Sequence, residues 1–492
     1  MPAITGQEYL YRLRHTQPEV WIGGERVADI TEHPATRGAA YRIAMLYDLQ
    51  HEPENRDFML FPSPTTGDMV GTQFLIPRNS DDLRKRYLMH KAWAEATYGM
   101  MGRTTDFCSA IAVAFAVSAP FFGDFAPNVT RYLEEIREQD LFLTHALIDP
   151  AVDRSKPPSG QKEPFLYLGA VRETDRGIIV RGAKMVSTAA AYANEIMVWP
   201  YLPLPQHSPE DAPYAIAFCI PTNSPGLRFV AREPYGGSAP QDHPFAAQFD
   251  ELDTIAIFDD VEVPWERIFI YRDPERTNTL LRSLNPAGAG LIEFQTNIRF
   301  WVKLSTIAGL ARQAARMLRI DAFLHVQAML GELALFADVA RAITDAALHT
   351  PIEVNGVFGP NPLYANTLRL AAPLWYPRIR EILQMTFAGH LMYLPDTMKA
   401  FHSPIGPLLE RYTQGADVGG RERVQVLKAI YDLAVHSFGG RHELYERWYG
   451  GDKLKNLAAM KYFGWPAQDA EALAHKLIEQ LSQIAGAGGK HE

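Results

Sequence analysis

The chain has 492 residues, 47% hydrophobic and 21% charged, with a formal net charge of −9. That length exceeds what one core normally fills, so two or three parts are expected, and an acidic balance without a basic block interleaved with aromatics argues against a nucleic-acid binder. Residues 1–9 lack a basic region leading into an apolar stretch, and the most apolar run, 110–122, is too short to span a bilayer and contains Ser118 and Pro120; a cytoplasmic protein without membrane contact is expected.

Residues 1–150 read mainly as helix and loop. Asp81-Asp82-Leu83-Arg84-Lys85-Arg86-Tyr87-Leu88-Met89 opens with carboxylates, as a helix N-terminus prefers, and continues with apolar positions three and four apart. From 151 to 278 the pattern changes to short β-branched or aromatic runs at 165–171, 177–187, 195–201, 214–220, 227–231 and 254–258, separated by turn residues, as in a β-domain. From 279 to 492 the period returns to that of helices, with Phe323, Leu330, Leu333, Ala337, Ala340 and Ala347 on one apolar stripe, the mark of a bundle helix. The tail Ala485-Gly486-Ala487-Gly488-Gly489 is of low complexity and is expected to be disordered. The pattern by itself describes an α+β protein in three parts.

Glycine-rich dinucleotide and phosphate loops and a His-Glu-x-x-His helix are missing, so nicotinamide binding, nucleotide hydrolysis and zincin chemistry lose support. Cys108 and Cys219 are too few for an iron–sulfur cluster or a thiolate zinc site; they are expected as reduced core thiols, with no metal. Arg103 follows Gly102, which lets the backbone approach a ligand, and its permanent charge suits an anionic ligand oxygen, although a single Arg also serves as a structural ion pair. His145 lies in an apolar run, where a histidine reads either as a hydrogen-bonded core residue or as a group exchanging a proton near neutrality. Trp199-Pro200-Tyr201 follows a strand and is either core or, through Pro200 and Tyr201, pocket wall.

Gly99-Met100-Met101-Gly102-Arg103-Thr104-Thr105-Asp106-Phe107, Thr144-His145-Ala146-Leu147-Ile148-Asp149-Pro150-Ala151-Val152-Asp153-Arg154, Phe249-Asp250-Glu251, Val263-Pro264-Trp265-Glu266 and Phe438-Gly439-Gly440-Arg441-His442-Glu443-Leu444-Tyr445-Glu446 follow one another along the chain. Together they resemble the oxygenase components of the 4-hydroxyphenylacetate 3-monooxygenase family. The resemblance implies an acyl-CoA dehydrogenase-like fold and an FADH2-dependent aromatic (phenol-type) monooxygenase of a two-component system. Its FAD arrives reduced from a separate flavin reductase, dioxygen is co-substrate, and a C4a-hydroperoxyflavin transfers oxygen.

It further implies that Arg103 and His145 are catalytic and, with Phe107, bind substrate. His145, Ala146, Leu147, Ala151, Val152, Asp153, Arg154, Thr188 and the turn Gly439-Gly440-Arg441-His442 would contact the cofactor, Arg154 at the pyrophosphate. A homotetramer or homodimer built through the bundle is implied as well. The sequence departs from the family at Phe107, where relatives carry a tyrosine that binds the substrate oxygen, and at Thr144, where they carry Asn. The Phe107 departure reads either as a changed substrate or as packing drift. Other readings are an acyl-CoA dehydrogenase, a 4-hydroxybutyryl-CoA dehydratase, whose cluster needs more cysteines, and a non-catalytic flavin-binding relative.

Overall fold

The computed structural model describes residues 3–201, 204–205, 208–462, 464 and 466–488. In chain order its strands are β1 (Glu19–Ile22), β2 (Glu25–Arg26), β3 (Leu60–Pro62), β4 (Met69–Gly71), β5 (Leu143–Ala146), β6 (Gly169–Thr174), β7 (Gly177–Thr188), β8 (Glu195–Val198), β9 (Ile216–Pro221), β10 (Leu227–Ala231), β11 (Asp253–Pro264), β12 (Ile268–Tyr271), β13 (Ile352–Val354) and β14 (Val357–Gly359). The expected order of helical part, sheet layer and helical bundle is present, in an acyl-CoA dehydrogenase-like α+β arrangement.

Two sheets form the middle layer, one in the order β2-β1-β10-β11-β7-β6 and one in the order β12-β9-β8-β5. Their inner faces meet through large apolar side chains, for instance Phe218 edge-on to Phe258 at 6.0 Å. The layer recruits residues from before position 151. β1 covers the edge of β10 in parallel, and β5 pairs in parallel with β8. An exposed edge presents a row of unpaired N–H and C=O groups, and four residues, Glu19-Val20-Trp21-Ile22, suffice to cover this one.

The bundle contains the helices Pro286–Met317, Leu324–His349, Pro362–Met392 and Gly420–Ala434. Asn285 and Asn361 cap two of them, each side chain accepting from backbone N–H groups ahead of a first-turn proline. Of the expected stripe, Leu333, Ala337, Ala340 and Ala347 are buried inside the bundle. Phe323 is exposed because it stands at the N-cap, outside the helical period. The helix Thr105–Ala116 is buried from Thr105 through Phe115 and packs on Pro286–Met317, joining the N-terminal part to the bundle. Residues 485–488 continue the last helix, Gln468–Gly488, and Gly489 lies outside the described residues. Among the described residues, no single helix is long and apolar enough to cross a membrane.

Candidate active site

The helix Ser80–Ala96 is terminated by two left-handed residues, Tyr98 (φ 53°) and Gly99 (φ 68°), which turn the chain back through buried Met100 and Met101. This delivers Arg103 to the seam between the sheet layer and the helix Ser437–Trp448. A Cβ at position 102 would collide with the hydroxyl of Tyr445 on that helix, so only a residue without a side chain leaves that hydroxyl where it stands. Arg103 is held at three points. Its backbone N–H donates to Glu251, its Nη1 donates to Tyr445 Oη and to the Gly102 carbonyl, and its guanidinium carbon lies 3.8 Å from the centre of the Phe107 ring. Phe107 therefore serves as a flat rest for the cation.

His145 sits on β5 with its ring 5.5 Å from that of Phe107 and 6.1 Å from that of Trp199. The ring is half-buried, and its Nδ1 is enclosed and without a hydrogen-bond partner among the described residues. The expectation of a group titrating near neutrality is corrected: burial, and then the charge of Arg103, push its pKa down to about 3. The imidazole is neutral across the working range. Its folded pKa lies below the ordinary 6.5, so the stability linked to it is complete above that pH and is lost as pH falls toward 3. We expect kcat/KM to show no limb from His145 between about pH 5 and 8. A pH profile on the wild type and on His145→Asn checks this, and a limb lost only in the variant would refute it.

Lysine 184, which the sequence did not single out, organises the floor. Its buried Nζ donates to Asp149 Oδ1 at 2.6 Å and to the carbonyls of Leu147 (3.2 Å) and Trp199 (3.4 Å). The segments leaving β5 and β8, which carry His145 and Trp199, are thereby tied to one ammonium. Thr144 contributes as well, donating from Oγ1 to the Thr188 carbonyl, while Thr188 Oγ1 donates to Asp253.

The remaining expected cofactor residues fall in three places. Ala146 and Leu147 lie on or just after β5, the edge strand of its sheet, whose outer backbone groups face no further strand. Ala151, Val152, Asp153 and Arg154 form an exposed or half-exposed loop, and the Arg154 guanidinium makes no hydrogen bond among the described residues. Gly439, Gly440, Arg441 and His442 are not a turn but the first turns of the helix Ser437–Trp448, because His436 caps it through a bond from the Phe438 N–H. Within one subunit, Arg441 spends its donors on Asp253 and Glu251, and His442 faces inward to Lys303. Of the pocket-wall pair, Tyr201 reaches Gly451 beyond that helix, whereas Pro200 stays beside Trp199.

Buried polar atoms without a partner lie on the segments that meet here: His145 Nδ1, Trp199 Nε1, Ser187 Oγ and Thr105 Oγ1. Such atoms are costly unless a ligand or water satisfies them. A flavin ring, with alternating carbonyl and N–H groups, supplies complementary partners, and an open guanidinium at Arg154 suits a pyrophosphate. The residues present fit FAD.

A helical layer, a two-sheet layer and a bundle meet at a buried cation and a neutral imidazole, in the layering of the acyl-CoA dehydrogenase-like fold. Crystal structures of the oxygenase component (HpaB) of 4-hydroxyphenylacetate 3-monooxygenase, complexed with FAD and with FAD and 4-hydroxyphenylacetate, superpose with a TM-score of 0.91 at 36% identity, covering 98% of this chain and 99% of theirs. An archaeal 4-hydroxybutyryl-CoA dehydratase from N. maritimus shares the fold at TM-score 0.84 with 21% identity, over 96% of this chain and 95% of that one. The family profiles described as 4-hydroxyphenylacetate 3-hydroxylase N terminal and C terminal match residues 5–270 and 287–479. The chain is 39% identical to the 4-hydroxyphenylacetate 3-monooxygenase oxygenase component of Thermus thermophilus, over 92% of this chain and 93% of that protein. It is 35% identical to the oxygenase component of a 4-nitrophenol 2-monooxygenase from Rhodococcus sp., over 91% and 86%. The chain belongs to the 4-hydroxyphenylacetate 3-hydroxylase family.

Proposed function

We propose that this chain is the oxygenase component of a two-component aromatic monooxygenase that accepts reduced FAD from a separate reductase and hydroxylates a phenol, with Arg103 and His145 at the phenol oxygen. The observation that carries the reading is the placing of a fixed cation and a neutral imidazole on the same aromatic ring, Phe107. Reduced FAD, when bound, supplies the electrons that activate dioxygen, so that one oxygen atom reaches the substrate ring. Arg103 stabilises the ionised, electron-donating form of the phenol, and His145, being neutral, donates one N–H bond to the same oxygen without adding a second charge. Phe107 and Trp199 wall the site against water, which protects the activated oxygen from wasteful release as hydrogen peroxide. His145, Ala146, Leu147, Ala151 to Arg154, Thr188 and the Gly439–His442 turns of helix are our candidates for holding the cofactor.

Purified chain, a flavin reductase, FAD and NADH should convert a phenol from a screened panel, with mass spectrometry showing the gain of one oxygen. Oxidation of NADH by the chain alone would sink this reading. Because Phe107 offers no hydroxyl, 4-hydroxyphenylacetate is expected to be poor by about tenfold to a hundredfold in kcat/KM relative to the native phenol, the worth of one hydrogen bond to an ionised oxygen. Phe107→Tyr should narrow that gap; an unchanged ratio returns 4-hydroxyphenylacetate to the head of the panel.

We place the enzyme in the cytoplasm, a reading supported by two cysteines that are both unpaired and buried. We assign it a homotetramer or homodimer. The stripe on Leu324–His349 is spent inside the subunit, so the support comes instead from exposed Leu335, Leu374, Met385, Leu444 and Trp448 on the bundle's outer helices. A monomer by light scattering at micromolar concentration would refute the assembly.

A further inference from the structure

A hydroxyl is missing at position 107, but another tyrosine hydroxyl touches the same arginine. Tyr445 stands 342 residues from Arg103 in sequence and accepts a hydrogen bond from its Nη1. Its ring centre lies 5.0 Å from the guanidinium carbon. The tyrosine is itself firmly placed. Its ring is stacked on Tyr449 at 5.4 Å and 14°, and the guanidinium carbons of Arg299 and Arg441 lie 5.2 and 5.0 Å from its centre. The next residue, Glu446, is fully buried and bound by Arg299 and Lys303. The hydroxyl reaches Arg103 because residue 102 has no side chain.

We propose that Tyr445 is a positioning residue for the reaction, its hydroxyl fixing the Arg103 guanidinium against the Phe107 ring so that the remaining N–H donors are aimed at the phenol oxygen. The proposal rests on the phenol reading of the site. An arginine side chain free to rotate loses rotamer freedom each time it engages a ligand, and a clamp made of one hydrogen bond and one aromatic face removes that loss beforehand. Glu251 strengthens the arrangement from the backbone side, accepting the Arg103 N–H on one oxygen and an Arg441 N–H on the other, so the loop bearing the cation and the helix bearing Tyr445 share one carboxylate. Losing the hydroxyl should therefore weaken the hold on a phenolate without removing the charge.

The test uses 4-nitrophenol, whose ionised form absorbs in the visible, bound without turnover to the protein loaded with reduced FAD under strictly anaerobic conditions. In the wild type, Arg103 should lower the pKa of the bound phenol, an effect that Arg103→Ala abolishes. Tyr445→Phe, which keeps the ring, should raise that pKa by about one unit, a tenfold weaker preference for the phenolate. In the Arg103→Ala background the same change should do nothing further, since the hydroxyl acts through the guanidinium. Gly102→Ala, which displaces the hydroxyl without altering it, should move the pKa in the same direction, so the test does not hang on one variant's folding. An unchanged pKa in both Tyr445→Phe and Gly102→Ala overturns the proposal. So does an equal shift with and without Arg103, because the hydroxyl would then act on the phenol directly. If wild type and Arg103→Ala ionise the bound phenol alike, the phenol reading of Arg103 falls first and takes the positioning role with it.

Discussion

Replacing Arg103 with alanine should reduce coupled product formation by about a hundredfold or more while oxygen consumption continues, the missing product being recovered as hydrogen peroxide. Without the guanidinium the phenol oxygen loses its counter-charge, and Phe107 has no group to substitute for it. His145→Ala should act in the same direction, since it removes the neutral donor and opens space beside Trp199, through which water reaches the site. Arg103→Ala should retain FAD binding if the guanidinium acts at the substrate, whereas His145→Ala, at a residue also proposed to hold the cofactor, is compared at saturating FAD. Product-to-peroxide ratios measured with saturating reductase decide the matter, and unchanged coupling in both variants would mean that the reacting oxygen lies elsewhere.

The second large effect is expected from Glu446. This fully buried carboxylate takes a two-pronged ion pair from Arg299 at 2.7 and 2.9 Å and a third bond from Lys303 at 2.9 Å. Burial opposes its ionised form, yet the charges of Arg299 and then Lys303 outweigh it and hold the pKa at about 2. Its stabilising contribution is thus complete above the ordinary 4.5 and is lost as pH falls toward 2. Glu446→Ala leaves two buried cations facing each other and should cost about 3–5 kcal/mol. Lys303→Met should cost less. Burial has already brought that ammonium down to about 8, and its removal leaves the Arg299–Glu446 pair intact. Denaturant unfolding of the two variants side by side tests the ranking; if they unfold alike, the network does not hold Pro286–Met317 to Ser437–Trp448.

Legibility in the sequence followed the range of the interaction. The run 227–231 became β10 without change, because period-two alternation is a local signal. The run 254–258 grew into the twelve residues of β11, since two register shifts break the alternation that would have shown its length. β1 was invisible as sheet because nothing in four residues announces a partner some two hundred positions later. Arg103 and His145 were singled out through motif resemblance, and the fold brings both against Phe107; the charge state of His145 was not legible, as it is set by burial and by a guanidinium on another segment. Lys184 was missed for the same reason: a lysine within a strand reads as solvent-facing until Asp149 is seen beside it. Tyr445 lay within a quoted motif but showed no role until the fold brought it to Arg103.

The 342-residue separation of Arg103 and Tyr445 bears on how the protein acquires activity. Closing a loop of that size costs only slowly growing entropy, but both ends must already be rigid before the bond is worth making. Helices and local hairpins form early in refolding, whereas contacts between distant segments wait for domains to dock. Recovery of helical signal should therefore run ahead of recovery of turnover, and a chain cut between Leu284 and Asn285, just before the helix Pro286–Met317, should regain catalysis only at concentrations where its two halves meet.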